Sequence, residues 1–254
     1  MTSTRPDTSS GPPANLLGDR YKLGEAIGRG RSTVFRAEDV RLRRPVAVKQ
    51  VRLFDGGPED SSGIRRRTMR EAHAAARLSD PHVVTVFDVI EEGDSIWLVM
   101  ELVDSPSLSK LVADQGPMAP SRVAKVGLDV LSALTAAHEV GVVHRDVKPA
   151  NVMVLPNDRA KLADFGVAKI RDDTQVTAAG LVIGSPAYMA PEQARAERAG
   201  PAADLWALGA TLYFGVEGLS PFPGNNGLSS NSVVYFDVDV LNPAGITVSQ
   251  FDTT

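Results

Sequence analysis

Apolar and polar residues alternate from Tyr21 to Val51, a strand-like pattern broken by glycines and by a turn near Arg43–Pro45. From Ile64 to Leu78 the pattern changes. The stretch is rich in alanine, carries arginines on one side, and predicts a helix. Val83–Ile90 and Ile96–Leu102 read as two strands joined by a turn at Glu92–Asp94. Ser121 to Val140 returns to helical periodicity, with Ser121 placed to cap it. Strands with one helix, followed by mostly helices, predict an α+β chain of two units that differ in class.

The two ends differ from this middle. Met1 to Asn15 is rich in Ser, Thr, Pro and Gly and holds too little apolar surface to order itself, so a disordered leader is expected over residues 1–15. Gly224–Ser232 is a polar loop, Val233–Leu241 reads as a strand, and no Lys or Arg follows Arg198. Residues 224–254 are therefore set apart as a divergent tail.

Composition narrows the classes. The 254 residues are 43% hydrophobic and 23% charged, as in a water-soluble domain with a sizeable core. A net charge of -4 gives no reason to expect nucleic acid as a partner. The absence of cysteine excludes disulfides and thiolate metal sites. There is no apolar run of membrane-spanning length and no secretion signal at the N-terminus, so the reading is cytoplasmic.

The chemistry sits in four segments: Val46-Ala47-Val48-Lys49 in a predicted strand, His144-Arg145-Asp146-Val147-Lys148-Pro149-Ala150-Asn151, Asp164-Phe165-Gly166, and Ala190-Pro191-Glu192. Taken alone, Lys49 is an exposed strand lysine, and Asp146 and Asp164 are turn residues. In this order they resemble the signature set of eukaryotic-type serine/threonine protein kinases, in a form similar to bacterial members, over about Leu16 to Pro223. The resemblance implies a two-lobed kinase fold. A small antiparallel β lobe with one helix would span about residues 16–103, and a mainly helical large lobe about 104–223.

It also implies roles, because phosphoryl transfer is catalysed chiefly by positioning and electrostatics. Lys49 would hold the α- and β-phosphates of ATP, paired with Glu71 at the start of the Arg-Glu-Ala helix. Asp146 would take the substrate hydroxyl's proton and Lys148 would contact the γ-phosphate. Asn151 and Asp164 would hold Mg²⁺ through oxygen. The glycine loop Ile27-Gly28-Arg29-Gly30-Arg31-Ser32-Thr33-Val34 lacks a third glycine and is one residue short, so weaker phosphate cover is expected. Val34 and Ala47 would roof the adenine and Met153 would floor it. Met100 would lie at the back, and Glu101 to Val103 would bond the base through the backbone. His144 is read as a buried structural histidine near Phe165. Thr174 and Thr177 would be phosphorylated switches paired with Arg145, and Ser185 would face the substrate.

Asp204-Leu205-Trp206 resembles the start of the long central helix of the large lobe. The later helices of the family are not recognisable, and the arginine that would pair with Glu192 is missing. The expected function is transfer of the ATP γ-phosphate to protein Ser/Thr hydroxyls, with protein substrates as partners, another copy of the chain among them. Two alternatives stand beside it. One is a catalytically impaired nucleotide-binding module. The other is a small-molecule kinase of the aminoglycoside type, against which Ala190-Pro191-Glu192 argues.

Overall fold

A computed structural model describes residues 16–29, 32–52, 58–165, 186–195 and 197–221. In chain order the elements are β1 (Tyr21–Arg29), β2 (Thr33–Asp39), β3 (Arg44–Arg52), α1 (Pro58–Ala75), β4 (Val86–Glu92), β5 (Ser95–Met100), α2 (Leu108–Gln115), α3 (Pro120–Glu139), β6 (Val152–Val154), β7 (Ala160–Leu162), α4 (Pro191–Ala194) and α5 (Pro201–Glu217). The chain forms two compact units. The first comprises residues 1–54 and 87–102; the second comprises 55–86 and 103–254.

The first unit is an antiparallel sheet in the order β1-β2-β3-β5-β4. Side chains of a strand alternate between faces. Val46 and Val48 of β3 thus point one way, into a core with Leu17, Tyr21, Ala37 and Val99. Each such apolar side chain removed from water contributes roughly 1.5–3 kcal/mol. Ala47 and Lys49 point to the opposite face and are also buried. The turn expected near Arg43–Pro45 occupies Val40–Arg43 instead, and the strand already begins at Arg44.

Asp39, the last residue of β2, explains that placement. Its carboxylate accepts from Arg20 Nε and Nη2 at 3.0 and 2.7 Å, and from the backbone N–H groups of Arg41 and Leu42 at 3.1 and 3.2 Å. The Arg20 hydrogen bonds hold its carboxyl down at about 2. Burial, then a hydrogen bond to Asp88, pushes the Tyr21 hydroxyl up to about 12; it donates to Asp88 at 2.9 Å.

The second unit is built on α3 and α5. The buried positions of α3, Val123, Val126, Val130, Ala133, Leu134 and Ala137, recur at helical spacing along one stripe. The two helices pack through glycines. A Cβ on Gly127 would stand 3.1 Å from Leu212, and one on Gly215 would stand 3.2 Å from Val123. Ser121 does not cap α3. The cap position is Ala119, without a side-chain bond, and Pro120 opens the helix, since its fixed φ suits the first turn.

α2 was not anticipated. Its signal is Ser107, whose Oγ accepts from Lys110 N at 3.3 Å, followed by buried Leu108, Leu111 and Val112. The other boundaries shift: α1 covers 58–75 against 64–78 expected, β4 covers 86–92 against 83–90, and β5 ends at Met100 against Leu102. Glu71 lies in the next-to-last turn of α1, not at a helix start. The leader and the tail lie outside the described residues. Among the described residues no helix is long and apolar enough to cross a membrane.

Candidate active site

In the first unit, Lys49 is 3% exposed at the centre of the sheet. Its register partners are Val34 on β2 and Leu98 on β5. Two residues earlier, Ala47 is paired with Arg36 and Met100. Cross-strand partners share a face. The strands therefore put Val34, Ala47, Lys49 and Met100 on one side of the sheet, with Gly28 of β1 opposite Val34. Ile27 is largely exposed and Glu101 follows β5 half-buried. Gly30 lies outside the described residues. The expected partners Lys49 and Glu71 belong to different units, as do Glu101 and Val103. Within its own helix, Glu71 Oε1 lies 3.5 Å from Arg67 Nε.

In the second unit, a tight cluster surrounds Asp146. Lys148 Nζ donates to Asp146 Oδ2 at 2.8 Å. The Asn151 side-chain amide donates to the Asp146 carbonyl at 2.9 Å and to its Oδ2 at 3.3 Å. Asn151 closes a 3-10 turn, Pro149–Asn151, where proline fits the first position, and β6 follows directly. β6 and β7 pair Val152 with Leu162, so Ala163 N reaches Asn151 O at 2.8 Å. That hairpin sets Asp164 beside the Asp146 cluster's Asn151 end, with Asp164 in the left-handed region at φ 67°. Met153, half-buried, lies in the same hairpin opposite Lys161.

His144 fixes the other side of the loop. Its ring is fully buried, 4.6 Å from the ring of Phe165. Nδ1 accepts from Asp146 N at 3.2 Å and Nε2 donates to the Ala163 carbonyl at 2.9 Å. A backbone N–H can only donate and a carbonyl can only accept, so the imidazole is neutral with its proton on Nε2. Burial lowers its pKa accordingly.

Two residues in this region have roles that the sequence does not show: Asp204, legible only as part of the start of a helix, and Gln193. Asp204, wholly buried in the first turn of α5, accepts from His144 N at 2.8 Å, Arg145 N at 2.6 Å and His138 Nε2 at 2.7 Å. The available signal was a lone acid opening an otherwise apolar helix. Gln193 on α4 donates to the Arg145 carbonyl at 3.1 Å; nothing in its short segment marks it. Thr174, Thr177 and Ser185 lie outside the described residues.

The Mg²⁺ expectation can be tested against the donor set. A hard cation takes oxygen ligands. The amide nitrogen of Asn151 faces Asp146, which turns Oδ1 to the other side, and Asp164 follows two residues after the adjoining strand β7; the residues fit such an ion.

Known proteins supply the wider frame. The protein kinase domain family matches residues 21–246. The chain is 40% identical over 215 residues to the serine/threonine-protein kinase PknL of Mycobacterium tuberculosis, covering 84% of this chain and 53% of that protein. It is 42% identical over 217 residues to the serine/threonine-protein kinase PknB of Mycolicibacterium smegmatis, covering 83% and 34%. Among solved structures it resembles the crystal structure of Rad53 1-466 in complex with AMP-PNP, with a TM-score of 0.66 at 25% identity over 82% of this chain and 51% of that one. The chain thus spans about half the length, or less, of the curated relatives it matches. With its antiparallel sheet, its helical unit and the Asp146 loop in the order the family requires, the chain belongs to the protein kinase domain family.

Proposed function

We propose that the chain is a serine/threonine protein kinase that moves the γ-phosphate of ATP to a protein hydroxyl. The observation that carries this reading is the Asp146–Lys148–Asn151 cluster, in which a carboxylate is held by one cation and one amide at hydrogen-bond distance. In the reaction a bond forms between the substrate oxygen and phosphorus, and the bond from the γ-phosphorus to the bridging oxygen breaks. Asp146 orients the hydroxyl and accepts its proton. Lys148, already 2.8 Å from that carboxylate, can reach the transferring phosphoryl group and offset its charge. Lys49, on the sheet face with Val34, Ala47 and Met100, holds the α- and β-phosphates, and those apolar residues receive the adenine. Ile27, Gly28 and Gly30 cover the phosphates, and Glu101 and Val103 bond the base through the backbone. Mg²⁺, held by Asn151 Oδ1 and Asp164, supplies charge neutralisation at the phosphates when bound.

Thr174 and Thr177 are the regulatory phosphorylation sites in this reading, with Arg145 their counter-charge and Ser185 beside the substrate. Dependence on ATP and the lack of cysteine favour the cytoplasm as the place of action, with protein substrates, this chain included, as partners. The test is direct. The purified chain is given ATP, Mg²⁺ and a generic basic protein, and labelled product is mapped by mass spectrometry. Transfer that disappears in Asp146→Asn supports the reading. Nucleotide-induced thermal stabilisation with no transfer above the Asp146→Asn background refutes it.

A further inference from the structure

We infer that Gln193 is a positioning residue, one that ties α4 to the peptide group aiming Asp146. The inference rests on the kinase reading of Asp146 given above. Gln193 Nε2 donates to the Arg145 carbonyl at 3.1 Å, while its Oε1 accepts from Ala190 N at 3.2 Å. Both partners are backbone groups of fixed polarity, so the amide has one allowed orientation. A carboxylate at this position could accept from Ala190 N but could not donate to Arg145 O. Asparagine is one methylene too short to span both.

The carbonyl that Gln193 holds belongs to a residue in an unfavourable conformation. Arg145 has φ 63°, a left-handed geometry that a residue with a Cβ keeps only when its surroundings enforce it. Two contacts do so from opposite sides. Asp204 Oδ1 takes the Arg145 N–H at 2.6 Å, and Gln193 takes the carbonyl. That carbonyl is half of the Arg145–Asp146 peptide plane, and turning the plane turns the Asp146 carboxylate away from Lys148 and Asn151. Asp204 is anchored in the buried first turn of α5. Gln193 sits on a single turn of helix, four residues, that closes the segment carrying Ala190-Pro191-Glu192. A displacement of α4 is therefore transmitted through one hydrogen bond to the aim of the catalytic base, whereas the Asp204 contact stays in place.

The test uses the full chain and compares wild type, Gln193→Leu, Gln193→Glu and Asp146→Asn. Leaving a carbonyl unpaired and a peptide plane loose lowers kcat for protein phosphorylation roughly 5- to 50-fold in Gln193→Leu, with the KM for ATP within about 2-fold of wild type. Gln193→Glu shows a similar loss at about pH 8. Hydrogen–deuterium exchange read on residues 142–148 rises in Gln193→Leu while thermal unfolding stays two-state. A Gln193→Leu enzyme with unchanged kcat, a deficit carried wholly by the KM for ATP, or unchanged exchange over 142–148 overturns the inference. A wild-type chain that transfers no phosphate ends the kinase reading alone, and the exchange measurement then decides for or against the Gln193 clamp.

Discussion

Asp204 accepts the backbone N–H of Arg145 at 2.6 Å across 59 residues of sequence. With the same carboxylate it takes the N–H of His144 at 2.8 Å and the ring nitrogen of His138 at 2.7 Å. One buried acid thus satisfies two backbone donors of a loop that forms no helix or strand of its own. A buried donor left without an acceptor costs roughly 1–3 kcal/mol. Asp204→Ala orphans both backbone groups together and is expected to lower stability by about 3–5 kcal/mol. Urea denaturation followed by fluorescence measures it. A loss under about 1 kcal/mol would show that the loop holds itself.

Asn151→Asp tests the cluster through charge. Asn151 now donates to Asp146 Oδ2 at 3.3 Å. A second carboxylate in its place removes that donor and sets two negative groups together, which raises the pKa of the pair. Phosphate transfer at neutral pH should drop by about 100-fold or more, while thermal stability changes little. Steady-state kinetics alongside a melting curve separates these, and near-normal kcat would remove Asn151 from the site.

His144 sets a pH dependence of known sign. Its folded pKa lies below the ordinary 6.5 because burial disfavours the charged ring. Above 6.5 both folded and unfolded chains carry the neutral form, and this group makes no pH-dependent contribution. Below it the unfolded chain takes up a proton that the folded ring refuses, so stability falls as pH falls. The limiting slope is about 1.4 kcal/mol per pH unit. Urea midpoints between about pH 7.5 and pH 5.5 should show a shallower slope in His144→Phe than in wild type. Identical slopes would mean that the buried ring is not the source.

Gly127 probes the α3–α5 contact. The Leu212 methyls already stand 3.1 Å from where a Cβ would lie, and two further methyl groups have no room. Gly127→Val is expected to destabilise by about 1–3 kcal/mol despite the removal of a helix-weakening glycine. A thermal melt unchanged from wild type would contradict the packing.

Those parts of the candidate site that the structure describes are legible where their placement is dictated locally. Lys49 alternates with valines whose burial needs no partner beyond the sheet, and Asp146, Lys148 and Asn151 fall within six positions of one another. Elements governed by the tertiary structure were harder to read. α2 has two turns of helix and a single serine cap, too little pattern for periodicity to register. Ser121 looked like a cap because serine often is one, yet the neighbouring proline fixed the start of α3 a residue earlier. Glu71 reads as opening a helix because the first turns of α1, from Pro58, carry few apolar residues. Gln193 and Asp204 act on backbone groups far away in sequence, and such pairing leaves no mark in either local segment.

The span between Arg145 and Asp204 also sets a schedule during synthesis. The ribosome adds residues at about 5–20 per second, so the loop bearing Asp146 leaves several seconds before the acid that anchors it. Until α5 has emerged and docked, the Arg145 N–H has yet to meet this acceptor, and its left-handed turn lacks that support. The geometry at Asp146 is thereby completed only after the last described helix is made, a delay written into the order of the gene.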